Sequence, residues 1–178
     1  EVCSSGDNIE GYQRMPSLDD FDLFVFDFDG VLTDNMVLID ATGVELVRCC
    51  RSDGLAFDGL RCLGKSVLIL STEVNSVVEA RARKLQVPVV YGVKDKAAAL
   101  RHYCSEASFS LDRTFYTGND INDLDVMKIV GMTACPADSH GAVADAATYK
   151  LSVNGGSGVV REIIEAIFGL DLYHLMYS

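Results

Sequence analysis

From Phe21 onward, short apolar runs alternate with longer stretches whose apolar residues recur every three or four positions. Phe21–Phe26, Val67–Leu70, Val87–Tyr91 and Arg113–Tyr116 are brief and dominated by apolar, β-branched or aromatic residues, the pattern of strands buried on both faces. Met132–Cys135 and Thr148–Val153 repeat it more weakly. Gly54–Leu63, Asn75–Leu85, Lys96–Ser105, Asn122–Val130 and Val159–Phe168 carry helical spacing. Such alternation predicts an α/β fold in which a parallel sheet is covered by helices on both faces. Ligands in that architecture bind outside the carboxyl ends of the strands, so the strand ends are where chemistry is expected. One insertion breaks the rhythm: Met36–Ile39 and Val44–Val47 flank Asp40-Ala41-Thr42-Gly43, a hairpin signal directly after the first strand.

The length, 178 residues, fits a single domain over residues 21–178 preceded by a polar arm or linker at 1–20. Because the chain begins at Glu1 rather than Met, it reads as processed or cut from a longer polypeptide. With 15 Lys and Arg against 26 Asp and Glu, the net charge of −11 disfavours nucleic acid and anionic membranes as partners. No apolar run reaches the roughly 18 residues of a membrane span, and the first twenty residues lack a signal-peptide pattern, which together point to the cytosol. The six cysteines form no CxxC pair and read as reduced thiols. A small anionic substrate is compatible with this acidity only if a metal ion or local Lys and Arg offset the field.

Gly59-Leu60-Arg61-Cys62-Leu63-Gly64-Lys65-Ser66 matches a phosphate-binding loop letter for letter. That loop works by following a strand and opening a helix, whereas here a helix precedes it and a strand follows. Gly64 therefore reads as a helix C-cap and Lys65 as a charge near the helix end.

The strand ends are more informative. The first runs into Asp27-Phe28-Asp29-Gly30-Val31-Leu32-Thr33-Asp34. Carboxylates at i and i+2 of an extended chain leave on one side and repel unless one is protonated or a cation sits between them. Gly30 lets the backbone turn close to a ligand. Alone, this segment reads equally as a polar turn. The second strand ends in Ser71-Thr72-Glu73, which alone suits a helix cap. The third leads through Gly92-Val93-Lys94-Asp95-Lys96 into a helix, and the fourth ends in Thr117-Gly118-Asn119-Asp120-Ile121-Asn122-Asp123. Innocent readings at four successive strand ends are jointly improbable.

This ordered set resembles the haloacid dehalogenase (HAD) phosphatase superfamily over about Phe21 to Phe168. The resemblance implies a Rossmann-like fold, Mg²⁺ as cofactor, Asp27 as nucleophile and Asp29 as general acid and base. Ser71 and Lys96 would bind phosphoryl oxygens, with Gly30 and Thr72 beside the substrate and Gly118–Asp123 as the metal loop. Metal ligands would be Asp27, Asp29 and Asn119, with Asp120 or Asp123 sharing the role because Asn119 stands where the family has an acid.

Only 43 residues separate Asp27 from Ser71, and fewer separate Lys96 from Gly118, so neither gap holds a cap domain. A capless site takes a large partner or is closed by another subunit. The apolar hairpin strands are the expected oligomer contact. With Gly155-Gly156-Ser157-Gly158-Val159-Val160-Arg161-Glu162, the chain resembles the capless phosphatases of 2-keto-3-deoxy sugar acid phosphates, typically homotetramers closed by a neighbour's tail. Leu172, Tyr173, Leu175 and Met176 suit such a tail. Within that group Glu73 and Lys84 resemble the enzymes for nine-carbon ketodeoxynononate and acylneuraminate 9-phosphates more than those for octulosonate 8-phosphate; Arg81 could meet the substrate carboxylate, and a solvated helix face accounts equally well for both cations. The rival resemblance is to the C-terminal, tetramerising domain of CMP-sialic acid synthetases, with a cytidylyltransferase domain upstream.

Overall fold

The computed structural model describes residues 16–177. Of the polar arm, residues 1–15 lie outside the described residues, while Leu18–Asp20 forms a 3₁₀ turn capped by Ser17. Six parallel strands form the sheet in the order β5 (Val89–Val90), β4 (Ser66–Leu70), β1 (Leu23–Phe26), β6 (Thr114–Thr117), β7 (Met132–Cys135) and β8 (Tyr149–Lys150). The first strand in sequence is thus central, and its carboxyl end lies between those of β4 and β6.

Period-two alternation fills both faces of this sheet. Phe24 and Phe26 point to one side and pack with Phe57, Leu60, Phe115, Val160 and Ile164. Leu23 and Val25 point to the other, with Leu68, Leu100, Tyr116 and Val126. Phe24 stacks on Phe115 at 5.5 Å between centroids, and Phe168 meets both rings edge-on. Each such ring contributes about 1.5–3 kcal/mol on burial.

Helices α1 (Ser52–Cys62), α2 (Val77–Leu85) and α3 (Lys96–Ala107) fall where helical spacing was expected. The phosphate-loop lookalike is the end of α1: Gly64 has a φ of 70°, and Lys65 donates to the carbonyl of Phe21 at 2.9 Å. The helix expected at Asn122–Val130 is instead a 3₁₀ turn, Ile121–Asp123, followed by the single turn α4 (Leu124–Met127). The strands expected at Val87–Tyr91 and Thr148–Val153 shrink to the two-residue edge pairs β5 and β8. The helix expected at Val159–Phe168 is α6 (Val159–Glu162), which widens into a π-type turn at Ile163–Ile167.

Two helices, α5 (Gly141–Ala146) and α7 (Leu172–Tyr177), were not anticipated. The first is capped by the His140 ring, whose Nδ1 accepts from the Ala142 N–H at 3.2 Å. In the second, Leu172 is buried and packs with Leu175 over Gly59 of α1, where a Cβ would fall 2.6 Å from the Leu172 side chain, while Tyr173 is exposed.

The hairpin insert is longer than its sequence signal, with β2 (Thr33–Ile39) antiparallel to β3 (Glu45–Cys49). Asp40 fixes the turn by accepting from the N–H groups of Thr42 and Val44. Met36, Leu38, Ile39 and Leu46 are all more than half exposed. Neither this insert nor α3 forms a cap domain over the sheet edge. Among the described residues no helix is long and apolar enough to cross a membrane.

Candidate active site

The carboxyl ends of β1, β4 and β6 border one cavity of about 170 Å³, lined by Asp27, Asp29, Asn35, Ser71, Thr72, Asn119, Asp120, Ile121 and Asn122. Asp27 terminates β1 and is buried, tied to β6 by its own N–H donating to the Thr117 carbonyl at 2.9 Å. Its Oδ1 accepts from the Phe28 N–H at 2.7 Å and lies 2.8 Å from Lys96 Nζ. Burial pushes this carboxyl up, with the Asp123 charge adding to the rise, while the Lys96 ammonium pulls it back. Lys96 shows the complementary balance: burial alone would lower its pKa, but the carboxylates of Asp27 and Asp123 outweigh that and raise it. The ammonium therefore stays charged as a fixed counter-ion.

Asp29 is half-buried and faces the same cavity. Burial raises its pKa, and the nearby Glu73 carboxylate raises it further, which favours a protonated acid. The loop beneath it is tight. Gly30 has a φ of 77° and donates to Thr33 Oγ1 at 3.2 Å, and a Cβ there would overlap the Asn119 amide. Ser71 is buried at the end of β4, its Oγ accepting from the Glu73 N–H at 3.0 Å, so its hydroxyl proton remains available to a phosphoryl oxygen. Thr72 accepts a long contact from Asn122 Nδ2 at 3.4 Å.

The loop after β6 separates the roles that the sequence left open. Asp123 is not placed as a metal ligand. Its Oδ1 accepts from Lys96 Nζ and Tyr116 Oη, both at 2.6 Å, and its Oδ2 from the N–H groups of Asn119 at 2.8 Å and Asp120 at 3.1 Å. Both oxygens are committed, and the residue acts as the anchor of the loop and of Lys96. Asp120 borders the cavity, but its Oδ1 accepts from the Ile121 N–H as the cap of the 3₁₀ turn. Asn119 is the member of the loop that reaches the carboxylates: one arm of its amide lies 3.1 Å from Asp27 Oδ2 and 2.9 Å from the Asp29 carbonyl oxygen.

Those distances bear on whether a cation fits. Mg²⁺ with oxygen ligands at about 2.0–2.1 Å places neighbouring ligands about 2.9 Å apart, the edge of an octahedron. An amide oxygen at the Asn119 position would stand at that spacing from Asp27 Oδ2 and from the Asp29 carbonyl, so the donor set suits a hard divalent cation. The Asp29 atom at this spacing is its backbone carbonyl rather than its carboxylate. Among the described residues no three His, Cys, Asp or Glu side chains converge on a metal position.

Of three expected substrate contacts, Glu73 is engaged by its own loop beside the cavity, and Arg81 and Lys84 lie elsewhere. Glu73 turns back into its own loop, its Oε1 accepting from the N–H groups of Val74 and Asn75. Arg81 and Lys84 line a different cavity with Cys49, Arg51, Leu55 and Asp58, and Arg81 donates to the Cys50 carbonyl at 2.8 Å. Their helix, α2, starts after the active-site loop and turns these side chains toward α1 and β3 instead.

The Gly-rich tail motif has a place that spacing alone did not reveal. A Cβ on Gly155 would collide with the Gly30 carbonyl, and Gly156 donates to the Val31 carbonyl at 3.0 Å. The motif is a backbone brace under the Asp27–Thr33 loop. Asp53 secures its far side by accepting from the Val160 N–H at 3.0 Å.

A family model of haloacid dehalogenase-like hydrolases matches residues 76–163. The 3-deoxy-D-manno-octulosonate 8-phosphate phosphatase of Yersinia pestis is 32% identical over 149 residues, which cover 82% of this chain and 78% of that protein. The chain belongs to the haloacid dehalogenase-like hydrolases. Among solved structures, a Streptomyces avermitilis protein assigned to the HAD family hydrolases is 46% identical with a TM-score of 0.85, covering 89% of this chain and 91% of that one. The 3-deoxy-D-manno-octulosonate 8-phosphate phosphatase of Moraxella catarrhalis, solved with magnesium, phosphate and KDO, is 26% identical with a TM-score of 0.81, covering 85% and 88%. The chain is a HAD-type phosphomonoester hydrolase of the capless kind.

Proposed function

We propose that the chain is a Mg²⁺-dependent phosphatase of 2-keto-3-deoxy sugar acid phosphates, with the eight-carbon octulosonate 8-phosphate as the favoured substrate. The observation that carries this reading is the meeting of Asp27, Asp29, Ser71 and Asn119 around one cavity, with Lys96 paired to Asp27 at 2.8 Å. The lining carboxylates would repel a phosphate, so a cation at the Asp27, Asp29 and Asn119 oxygens is what makes the cavity receptive. Bound there, Mg²⁺ would offset the charge on the phosphoryl oxygens.

The residues then divide the work. Asp27 Oδ1, steered by the Phe28 N–H and Lys96, attacks phosphorus as the bond to the sugar oxygen breaks. Asp29 gives its proton to that departing oxygen. Ser71 Oγ and Lys96 Nζ donate to the phosphoryl oxygens and hold them in line. A water molecule, deprotonated by Asp29, next attacks the phosphorus of the aspartyl-phosphate, releasing inorganic phosphate and restoring Asp27.

The eight-carbon preference rests on the octulosonate phosphatases among the relatives, which lend no support to the nine-carbon substrates or to the synthetase-domain alternative. The positions of Arg81 and Lys84 in another cavity agree with dropping the nine-carbon preference. The test is phosphate release with Mg²⁺ from octulosonate 8-phosphate, ketodeoxynononate 9-phosphate and acylneuraminate 9-phosphate side by side. The octulosonate ester is expected to have the highest kcat/KM; a nine-carbon ester ahead of it by tenfold, about 1.4 kcal/mol, would reverse the assignment.

A homotetramer belongs to the same proposal. The site has no cap of its own, and the exposed apolar side chains of β2 and β3 form a surface suited to a second copy. Sedimentation of the purified chain is expected to give a tetramer, and Leu38→Lys with Ile39→Lys to give smaller species; a monomeric parent chain would contradict this.

A further inference from the structure

Asn119 gives the cation site a neutral side chain where Asp27 gives a charged one, and its setting gives it two uses. Its backbone is pinned on both sides: its N–H donates to Asp123 Oδ2 at 2.8 Å, and its carbonyl accepts from the His140 N–H at 2.9 Å. The residue is buried at 7% exposure, and Gly30 leaves space beside it that a Cβ would fill. What remains free is rotation of the amide about its last torsion, a broad and nearly two-fold coordinate.

Turned with its nitrogen inward, the amide would donate to Asp27 Oδ2 at 3.1 Å and to the Asp29 carbonyl at 2.9 Å; turned the other way, its oxygen takes the same place. Those are the same two oxygens that a cation would need. An oxygen in that position would instead face two acceptors with no proton to share, which is unfavourable without a cation between them. An aspartate there would bring a second carboxylate against Asp27 under the same conditions.

We propose that Asn119 is a two-position switch of the cation site. Its nitrogen braces Asp27 and the Asp29 carbonyl when the site is empty, and its amide turns over to offer oxygen when the cation enters. This rests on the phosphatase reading, because it assigns a role within that cation site. The asparagine thereby trades cation affinity for a metal-free loop that is already in its working shape. An aspartate would bind the cation more tightly by adding charge to the ligand set, and would leave the metal-free loop under repulsion.

The test needs no substrate. Thermal unfolding of the parent chain and of Asn119→Asp is followed in chelator and across a MgCl₂ titration. Asn119→Asp is expected to melt below the parent in chelator, and to reach its half-maximal Mg²⁺ response at about tenfold lower concentration. Asn119→Ala, which has neither donor nor ligand, is expected to melt below the parent in chelator and to respond to Mg²⁺ more weakly. Equal melting of parent and Asn119→Asp in chelator, or unchanged Mg²⁺ midpoints, would overturn the switch while the parent's own Mg²⁺ response left the phosphatase reading standing. A parent chain that Mg²⁺ does not stabilise at all would overturn both.

Discussion

Asn in place of Asp27 is expected to abolish phosphate release, by at least about 10³-fold in kcat, in a protein that remains folded. The amide is nearly isosteric, and its neighbours can accept it. Its oxygen can take the Phe28 N–H and Lys96 Nζ now held by Asp27 Oδ1. Its nitrogen would then face Asn119, whose amide can turn its oxygen inward. Burial already pushes the Asp27 carboxyl up to about 7, so a neutral group at this position escapes a desolvation penalty that the native carboxylate bears. An amide oxygen is nevertheless too weak a nucleophile to form the phosphorylated intermediate. Phosphate release and circular dichroism measured on the same preparation check this, and turnover within tenfold of the parent would exclude Asp27 as the nucleophile.

Lys96→Met is expected to damage stability and activity together. Lys96 is 2% exposed and stands between two carboxylates, 2.8 Å from Asp27 Oδ1 and 2.6 Å from Asp123 Oδ1. Methionine keeps much of the volume but leaves both carboxylates buried without a counter-charge, which costs about 3–5 kcal/mol for a broken buried pair. Pairing it with Asp123→Asn removes one of the orphaned charges. The double variant is expected to recover part of the lost stability and none of the activity, since the phosphoryl oxygens still lack their cation. Urea denaturation of the parent, both single variants and the double variant provides the cycle. A loss below about 1 kcal/mol for Lys96→Met would mean that the ion pairs carry little of the site's order.

Much of this site was legible because its chemistry sits at strand ends, and buried strands are the most distinctive features of the sequence. The run from Phe21 to Phe26 located Asp27 and Asp29, and the apolar run at Val67–Leu70 located Ser71. What the sequence concealed depends on where side chains turn after those ends. Asp123 has the residue type of a ligand, yet four donors from Lys96, Tyr116, Asn119 and Asp120 claim its oxygens. The resemblance names Asn119 as a ligand beside Asp27, and the structure brings its amide within 3.1 Å of Asp27 Oδ2. Glu73 follows a strand end as a substrate contact would, but its Oε1 is held by the N–H groups of its own loop. The Gly155–Gly156 brace joins segments about 125 positions apart through close backbone approach, which leaves only glycines as its trace in the sequence. Helix α5 escaped notice because a histidine is not among the usual helix-capping residues.

The central claim is that Asp27 accepts the phosphoryl group from the substrate, and acid-quenched single turnover with peptide mapping tests it most directly. With octulosonate 8-phosphate and Mg²⁺, a phosphoryl adduct is predicted on the peptide that contains Asp27, rising before free phosphate appears and decaying as it accumulates. An adduct on another residue, or a full turnover of phosphate with no adduct at any sampled time, would contradict the account.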